Sequence, residues 1–182
     1  MFLNLNEDIK RYKREGSIKE NLYLLFEQGI WAICVYRFGR WVREVRIPII
    51  SLILKMVAFF LFKFIEIITS VSLPFSAVIG KGLYVGHFGP IILHSDVVIG
   101  ENFSVGPGVV IGTRGSGNTG VPRIGDNVYI GVGAKILGGI DIGDNVKVGA
   151  NAVVLHDVPE GEVVVGIPAK SINPKKNKGD IC

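Results

Sequence analysis

A parallel β-helix built from hexapeptide turns, preceded by an α-helical segment, is the fold this 182-residue sequence predicts. Three observations predict it. Thirteen aliphatic residues, Leu73, Ile79, Val85, Leu93, Ile99, Val105, Ile111, Ile124, Ile130, Ile136, Ile142, Val148 and Val154, fall almost everywhere six residues apart. Most are followed by a small or turn-prone residue, usually Gly, and the fifth position of each hexad is again apolar: Ala77, Leu83, Val97, Phe103, Val109, Val128, Ala134, Ile140, Val146 and Ala152. Ahead of this metre lies a stretch whose apolar spacing is helical instead.

Each hexad reads as one short strand plus one corner. The aliphatic residue points inward, the glycine turns the backbone without a Cβ clash, and the fifth residue fills the inside of the turn. Three hexads make a triangular coil of about eighteen residues, and coils stack so that each strand hydrogen-bonds to the one above. A sandwich of ordinary strands would instead show hairpin turns at irregular spacing and period-two alternation.

In the first third, Ser17 and Glu20 form an S-x-x-E capping box, and helical spacing runs from Ile18 through Arg46 until Pro48 breaks it. Pro48 suits the first turn of a second helix that runs to about Ser70. This helix is very apolar, but Lys55, Lys63 and Glu66 interrupt it; at about 100° per residue they share one narrow stripe. Three readings suit such a helix: burial against the first helix and other subunits, an interfacial helix in peripheral contact with the inner membrane leaflet, helped by Arg37, Arg40, Arg43 and Arg46, or a true span. The chain thus divides into a helical segment over 1–71, the β-helix over 72–172 and a tail over 173–182.

Met1 to Glu66 holds eleven basic and seven acidic residues, and the remainder nine of each. The repeats are therefore electrically neutral, which argues against a nucleic-acid groove along them. Cys34 and Cys182 form no disulfide framework, and the N-terminus lacks the apolar core of a secretory signal; both features suit a cytoplasmic protein.

The metre breaks twice. Between Val85 and Leu93 the interval is eight residues, the additional pair lying within His87-Phe88-Gly89-Pro90, and between Ile111 and Ile124 it is thirteen, with Thr113 to Arg123 forming a polar, Gly-rich loop. Insertions in a repeat array map to loops that often bind something, and the two breaks are expected to serve one site. His87 stands at the first break, beside Gly86, Tyr84 and Phe88, and is the functional candidate; His94 and His156 read as solvated surface residues. The histidine separations of 7 and 62 residues do not match a three-histidine zinc site, and no metal is expected.

From about Gln28 to Ile172 the chain resembles the hexapeptide-repeat acyltransferases and, within them, the serine acetyltransferase branch. The resemblance rests on Gln28-Gly29-Ile30-Trp31-Ala32 with Tyr36-Arg37, on Ile79 to Leu83, on His87, on Ile130 to Gly138, on Val148 to Val154 and on Gly166-Ile167-Pro168-Ala169-Lys170. It implies a left-handed β-helix that trimerises, with three active sites in the clefts between subunits. It also implies acetyl-CoA as acyl donor, contacted at Gly112, Thr113, Val132 and Ala150, with Lys170 near its phosphates. His87 matches the catalytic histidine, a general base for direct attack of a hydroxyl on the thioester.

The chain departs from that branch where the amino-acid substrate is held. Ser72 stands in place of an Asp that orients the histidine, Gly86 in place of another Asp, and Gly120-Val121 in place of an Arg-His pair. Zwitterion recognition needs paired charges, and the stretch Lys81 to Gly89 resembles sugar O-acetyltransferases of surface-polysaccharide assembly, with Tyr84 and Phe88 either stacking on the sugar ring or packing in the core or an interface. The expectation is therefore a CoA-dependent O-acetyltransferase acting on a sugar or lipid-linked sugar hydroxyl. Serine as acceptor and a non-catalytic scaffold are the alternatives.

Overall fold

The computed structural model describes residues 2–13, 22–115, 117 and 119–172. Helix α1 (Phe2–Lys10) and a 3₁₀ turn (Leu22–Phe26) precede the hairpin of α2 (Gln28–Val42) and α3 (Pro48–Thr69). The capping box Ser17/Glu20 lies outside the described residues. Within the stretch where a helix is expected from Ile18, residues 22–26 form the 3₁₀ turn and Glu27 is extended, with φ −74° and ψ 108°, so α2 starts at Gln28. Pro48 opens α3 as its first residue, where a missing N–H costs nothing, and Ser70 ends it at a φ of 57°.

Short strands follow: β1 (Val71–Ser72), β2 (Val78–Ile79), β3 (Tyr84–Val85), β4 (Ile91–Leu93), β5 (Val98–Ile99), β6 (Ser104–Val105), β7 (Val110–Gly112), β8 (Arg123–Ile124), β9 (Tyr129–Ile130), β10 (Lys135–Leu137), β11 (Asp141–Ile142), β12 (Lys147–Val148), β13 (Val153–Val154), β14 (Val163–Val165) and β15 (Lys170–Ser171). They form three parallel sheets, β1-β4-β7-β10-β13, β2-β5-β8-β11 and β3-β6-β9-β12-β14, the walls of a triangular prism; β15 closes the third sheet antiparallel. The register reports the metre directly. Asp141 pairs with Arg123, eighteen residues back, whereas Val98 pairs with Val78 twenty back and Arg123 with Val98 twenty-five back. The excesses of two and seven residues are the two insertions.

All thirteen metre residues are buried, as are the ten fifth-position residues. This continuous interior, with Phe103 as its largest side chain, is the main stabilising mass, since each buried aliphatic contributes about 1.5–3 kcal/mol. At the corner between the second and third sheets, Asn102, Asn127 and Asn145 hold φ values of 56°, 56° and 59°, a conformation that Asn tolerates better than other side chains. Asn102 Nδ2 donates to Asn127 Oδ1 at 3.0 Å, tying successive coils together.

A stack of parallel strands begins with an edge whose backbone groups need partners. Here the helical segment supplies them through side chains. Tyr36 Oη donates to Ala77 O at 2.8 Å and accepts from Ile79 N at 3.1 Å. Arg37 donates to Ile79 O at 2.8 Å and Gly80 O at 2.6 Å, Asp8 accepts from Leu83 N at 2.7 Å, and Tyr12 Oη both accepts from Val85 N at 2.8 Å and donates to Val85 O at 2.9 Å. Burial pushes the Tyr12 and Tyr36 phenols above their ordinary range, so each stays protonated and donates. Arg37 also meets Asp8 through two contacts of 2.8 and 3.0 Å, both side chains buried. Arg37 thereby leaves the exposed basic series in which its spacing placed it.

Removing one member of a buried ion pair strands the other charge, at about 3–5 kcal/mol. Arg37→Met is therefore expected to lower the melting temperature sharply, and the double variant Asp8→Leu/Arg37→Met to recover part of the loss. Thermal unfolding of the three purified proteins measures both.

Candidate active site

His87 lies on the prism edge that follows the third sheet, directly after β3. The equivalent corners of later coils are Gly106-Pro107, Gly131-Val132 and Gly149-Ala150, so His87, Val132 and Ala150 form one column down that edge. The column is thin. A Cβ at Gly106 would lie 3.0 Å from Val132 N, and one at Gly131 would lie 2.7 Å from Ala150 N, so bare backbone stacks on bare backbone. Val132 and Ala150 themselves are exposed at the surface of this ridge. Lys170 pairs with Val165 at the far end of the third sheet, exposed to solvent.

Gly112 and Thr113 lie elsewhere, on the edge that follows the first sheet, where the Gly-rich loop emerges. Within one chain the two breaks in the metre therefore occupy different edges of the prism. Sequence position alone had joined them; the three-sided cross-section separates them.

Around His87 the chain builds a cavity of about 340 Å³ lined by Tyr23, Phe26, Glu27, Gln28, His87 and Phe88. His87 and Phe88 project from the corner, Phe88 with 63% of its surface exposed. The opposite wall comes from the 3₁₀ turn and the start of α2. It is anchored by Tyr23 Oη donating to Tyr12 O at 2.5 Å and by Gly29, where a Cβ would lie 2.6 Å from Val85 O. Glu27 and Gln28 were absent from the sequence-derived set of site residues. Glu27 carries no local mark, and Gln28 stands out only as the first residue of the stretch that carries the family resemblance; both reach the cavity because α2 packs onto β3.

Other expectations shift at this level of detail. Tyr84 packs on Tyr12 at 4.6 Å between ring centroids, and the Arg11 guanidinium lies 5.5 Å from the Tyr84 ring centroid, so it is engaged within its own chain. Ser72 lies by Glu66, whose carboxyl Lys63 foremost, and Ser72 to a lesser degree, hold below its usual range. His94 is half-buried and accepts from Asp96 N at 3.2 Å. His156 is exposed, yet its ring nitrogens lie 2.9 Å from Asp157 O and 2.8 Å from Ala169 O, and these two carbonyls raise its pKa by favouring the doubly protonated ring. Cys34 is half-buried on α2, and burial pushes its thiol up, away from a nucleophilic thiolate.

Comparison with known proteins fits this geometry. Residues 122–156 match the family model of the bacterial transferase hexapeptide (six repeats). The serine acetyltransferase of Helicobacter pylori strain J99 is 34% identical over 173 residues, covering 93% of this chain and 97% of that protein. That of Synechococcus elongatus is 32% identical over 176 residues, covering 94% of this chain and 69% of the longer relative. Among solved structures, Neisseria gonorrhoeae serine acetyltransferase in complex with serine superposes with a TM-score of 0.76 at 34% identity, over 94% of this chain and 68% of that one. A serine acetyltransferase in complex with CoA gives 0.76 at 30% identity, over 93% and 68%.

These likenesses overturn the sugar acceptor expected from the missing anchors. The relatives are serine acetyltransferases across nearly the whole chain, including the helical segment that walls the cavity. The missing anchors all lie at positions within the coil, whereas the wall facing His87 comes from outside it and includes Glu27, and Tyr84 packs on Tyr12 and Arg11 of its own chain. The likeness also gives the coil the left-handed sense expected of it. By its repeats, its cap and its full-length similarity, the chain belongs to the serine acetyltransferase family of hexapeptide-repeat transferases.

Proposed function

We propose that this protein is a serine O-acetyltransferase that transfers an acetyl group from acetyl-CoA directly to the serine hydroxyl, with His87 as general base. The observation that carries the reading is that similarity to serine acetyltransferases extends through Tyr23 to Gln28, the wall facing His87, and not through the repeats alone. Neutral imidazole takes the hydroxyl proton as the oxygen attacks the thioester carbonyl. The tetrahedral intermediate then expels the thiolate, which recovers that proton from the imidazolium, leaving O-acetylserine and CoA. A hydroxyl is too weak a nucleophile at neutral pH to dispense with such a base.

The ridge of Val132 and Ala150 suits a donor that lies flat against backbone, since its side chains leave the peptide groups approachable. Gly112 and Thr113 belong to the same donor site on this reading, but across a subunit boundary. In a closed three-fold ring each chain presents one edge to the next chain's other edge, so the His87 corner of one protomer faces the Gly-rich loop of its neighbour. A trimer is thus the assembly that reunites the two breaks in the metre, and Lys170 at the end of the third sheet is placed for the phosphates. Acetyl-CoA and free serine meet in the cytoplasm, which is where this reading puts the enzyme.

Glu27 is the carboxylate among the residues lining the cavity, and we assign it the serine ammonium. Thiol release from acetyl-CoA tests the assignments. Wild type is expected to show saturable release with L-serine, and absence of release at high serine would remove the reading. His87→Ala should cost about 10²-fold or more in kcat. Glu27→Gln should raise KM for serine roughly ten- to hundredfold, the worth of a charged hydrogen bond, while leaving KM for acetyl-CoA in place. Equal effects on both KM values would deny Glu27 its role.

A further inference from the structure

The hairpin of α2 and α3 carries a second surface, remote from His87. In α3 only Ser51, Ala58, Ile65 and Thr69 are buried, a narrow and mostly small-residue face turned toward the rest of the chain. The large side chains turn outward instead: Ile49, Leu52, Phe60, Phe64 and Ile67 are 75%, 63%, 65%, 62% and 80% exposed, with further apolar residues between them. At about 100° per residue, the exposed apolar positions of α3 span about 200° of the helix circumference, with Lys63, paired to Glu66, inside one margin of the arc. A helix that packs on one protein partner needs a stripe of only about 100°. An apolar arc twice that width suits a fluid apolar phase.

Beside this arc lies a groove of about 630 Å³ between α2, α3 and the first corner of the coil. Phe59, Phe62 and Phe75 line it, and Gly39 lets the two helices close on Phe75, whose ring would meet any Cβ there at 2.3 Å. Arg43 and Lys55 also line it. Both are exposed, and neither makes an ion pair among the described residues. Phe59 is shared by the groove and the outer face, so the two surfaces are continuous. Aromatic walls with unpaired cations beside them are the complement of an anionic amphiphile.

We propose that α3 lies in the interface plane of an anionic phospholipid bilayer, its exposed arc in the acyl boundary and a headgroup phosphate between Arg43 and Lys55. Charge separates this occupant from a second copy of the chain. Over α2 and α3 with their connection, Arg40, Arg43, Arg46, Lys55 and Lys63 outnumber Glu44 and Glu66, so a symmetric pairing of the same face would set cations against cations. The fold also opposes a span, although α3 is long and apolar enough to cross a membrane. Because α2 packs along α3 and ends on Arg40 and Arg43, a crossing α3 would drag those charges into hydrocarbon. The inference is independent of the acetyltransferase reading.

Flotation of the full-length protein with vesicles tests it. The protein is expected to float with equimolar phosphatidylcholine and phosphatidylglycerol, to float less with phosphatidylcholine alone, and to be released by salt. Arg43→Gln/Lys55→Gln should lower partition onto the anionic vesicles about thirtyfold, since each interfacial cation contributes about 1 kcal/mol. Phe60→Ser/Phe64→Ser should lower it as well, with unfolding and serine-dependent thiol release unchanged for both variants. Protein that stays in the aqueous fraction with anionic vesicles overturns the proposal, as does flotation indifferent to lipid charge and to both variants. Resistance to carbonate extraction would replace it with a span, and concentration-dependent self-association abolished by Phe60→Ser/Phe64→Ser, without flotation, would replace it with a second copy.

Discussion

The first coil of a β-helix exposes a strand edge that no earlier coil covers, and this molecule depends on how that edge is closed. Its N–H and C=O groups are met by Tyr36, Arg37, Asp8, Arg11 and Tyr12, five side chains from α1, the segment just after it, and α2. The Asp8–Arg37 pair sits at the centre. Desolvating two charges offsets much of their attraction, so the pair is weak evidence for stability in itself. Its value is combinatorial: the same two side chains bind each other and three backbone groups of the coil, at Ile79, Gly80 and Leu83. An apolar cap would bury those backbone groups without partners, at about 1–3 kcal/mol each.

The closure also determines where chemistry is available. Tyr12 fixes both backbone groups of Val85, two residues before His87, and Gly29 brings α2 against the Val85 carbonyl. The corner bearing His87 is therefore held from beneath by the cap, and the cavity wall of Glu27 and Gln28 is an extension of it. Capping and the cavity wall become one construction. A change in how α2 seats on β3 would move both His87 and the wall that faces it.

How much of this was legible in the sequence follows from range. The inward positions were readable because periodicity is local: Ile130, Ile136 and Ile142 announce their burial by spacing alone, and all three are buried. The turn residues were readable for the same reason. Arg37 was misplaced because a buried, paired arginine and a solvated one look alike in a helical series with Arg40, Arg43 and Arg46. Its partner Asp8 is twenty-nine residues away and in another helix. The acceptor was misread on similar grounds: the departures at Ser72, Gly86 and Gly120 were real, but the carboxylate beside His87 enters from outside the repeats. The two breaks in the metre were correctly located along the chain, yet which edge of the prism each occupies depends on counting strands around the coil.

Helix α2 is what keeps the two ends of this architecture from interfering. Tyr36 and Arg37 face the coil, while Gly39, Val42 and Arg43 face the groove against α3. Successive positions about 100° apart allow a single helix to present both faces without sharing a side chain between them. The coil-facing side is buried and satisfied by fixed hydrogen bonds, so it is rigid. The groove-facing side closes through Gly39 on the Phe75 ring, a contact of surfaces with no hydrogen-bonding requirement. Occupancy of the groove therefore needs no rearrangement of Asp8, Arg37 or Tyr12, and a reaction at His87 needs none of Phe59 or Lys55. The hairpin leaves its apolar side open while its other side is tied to the corner that bears His87.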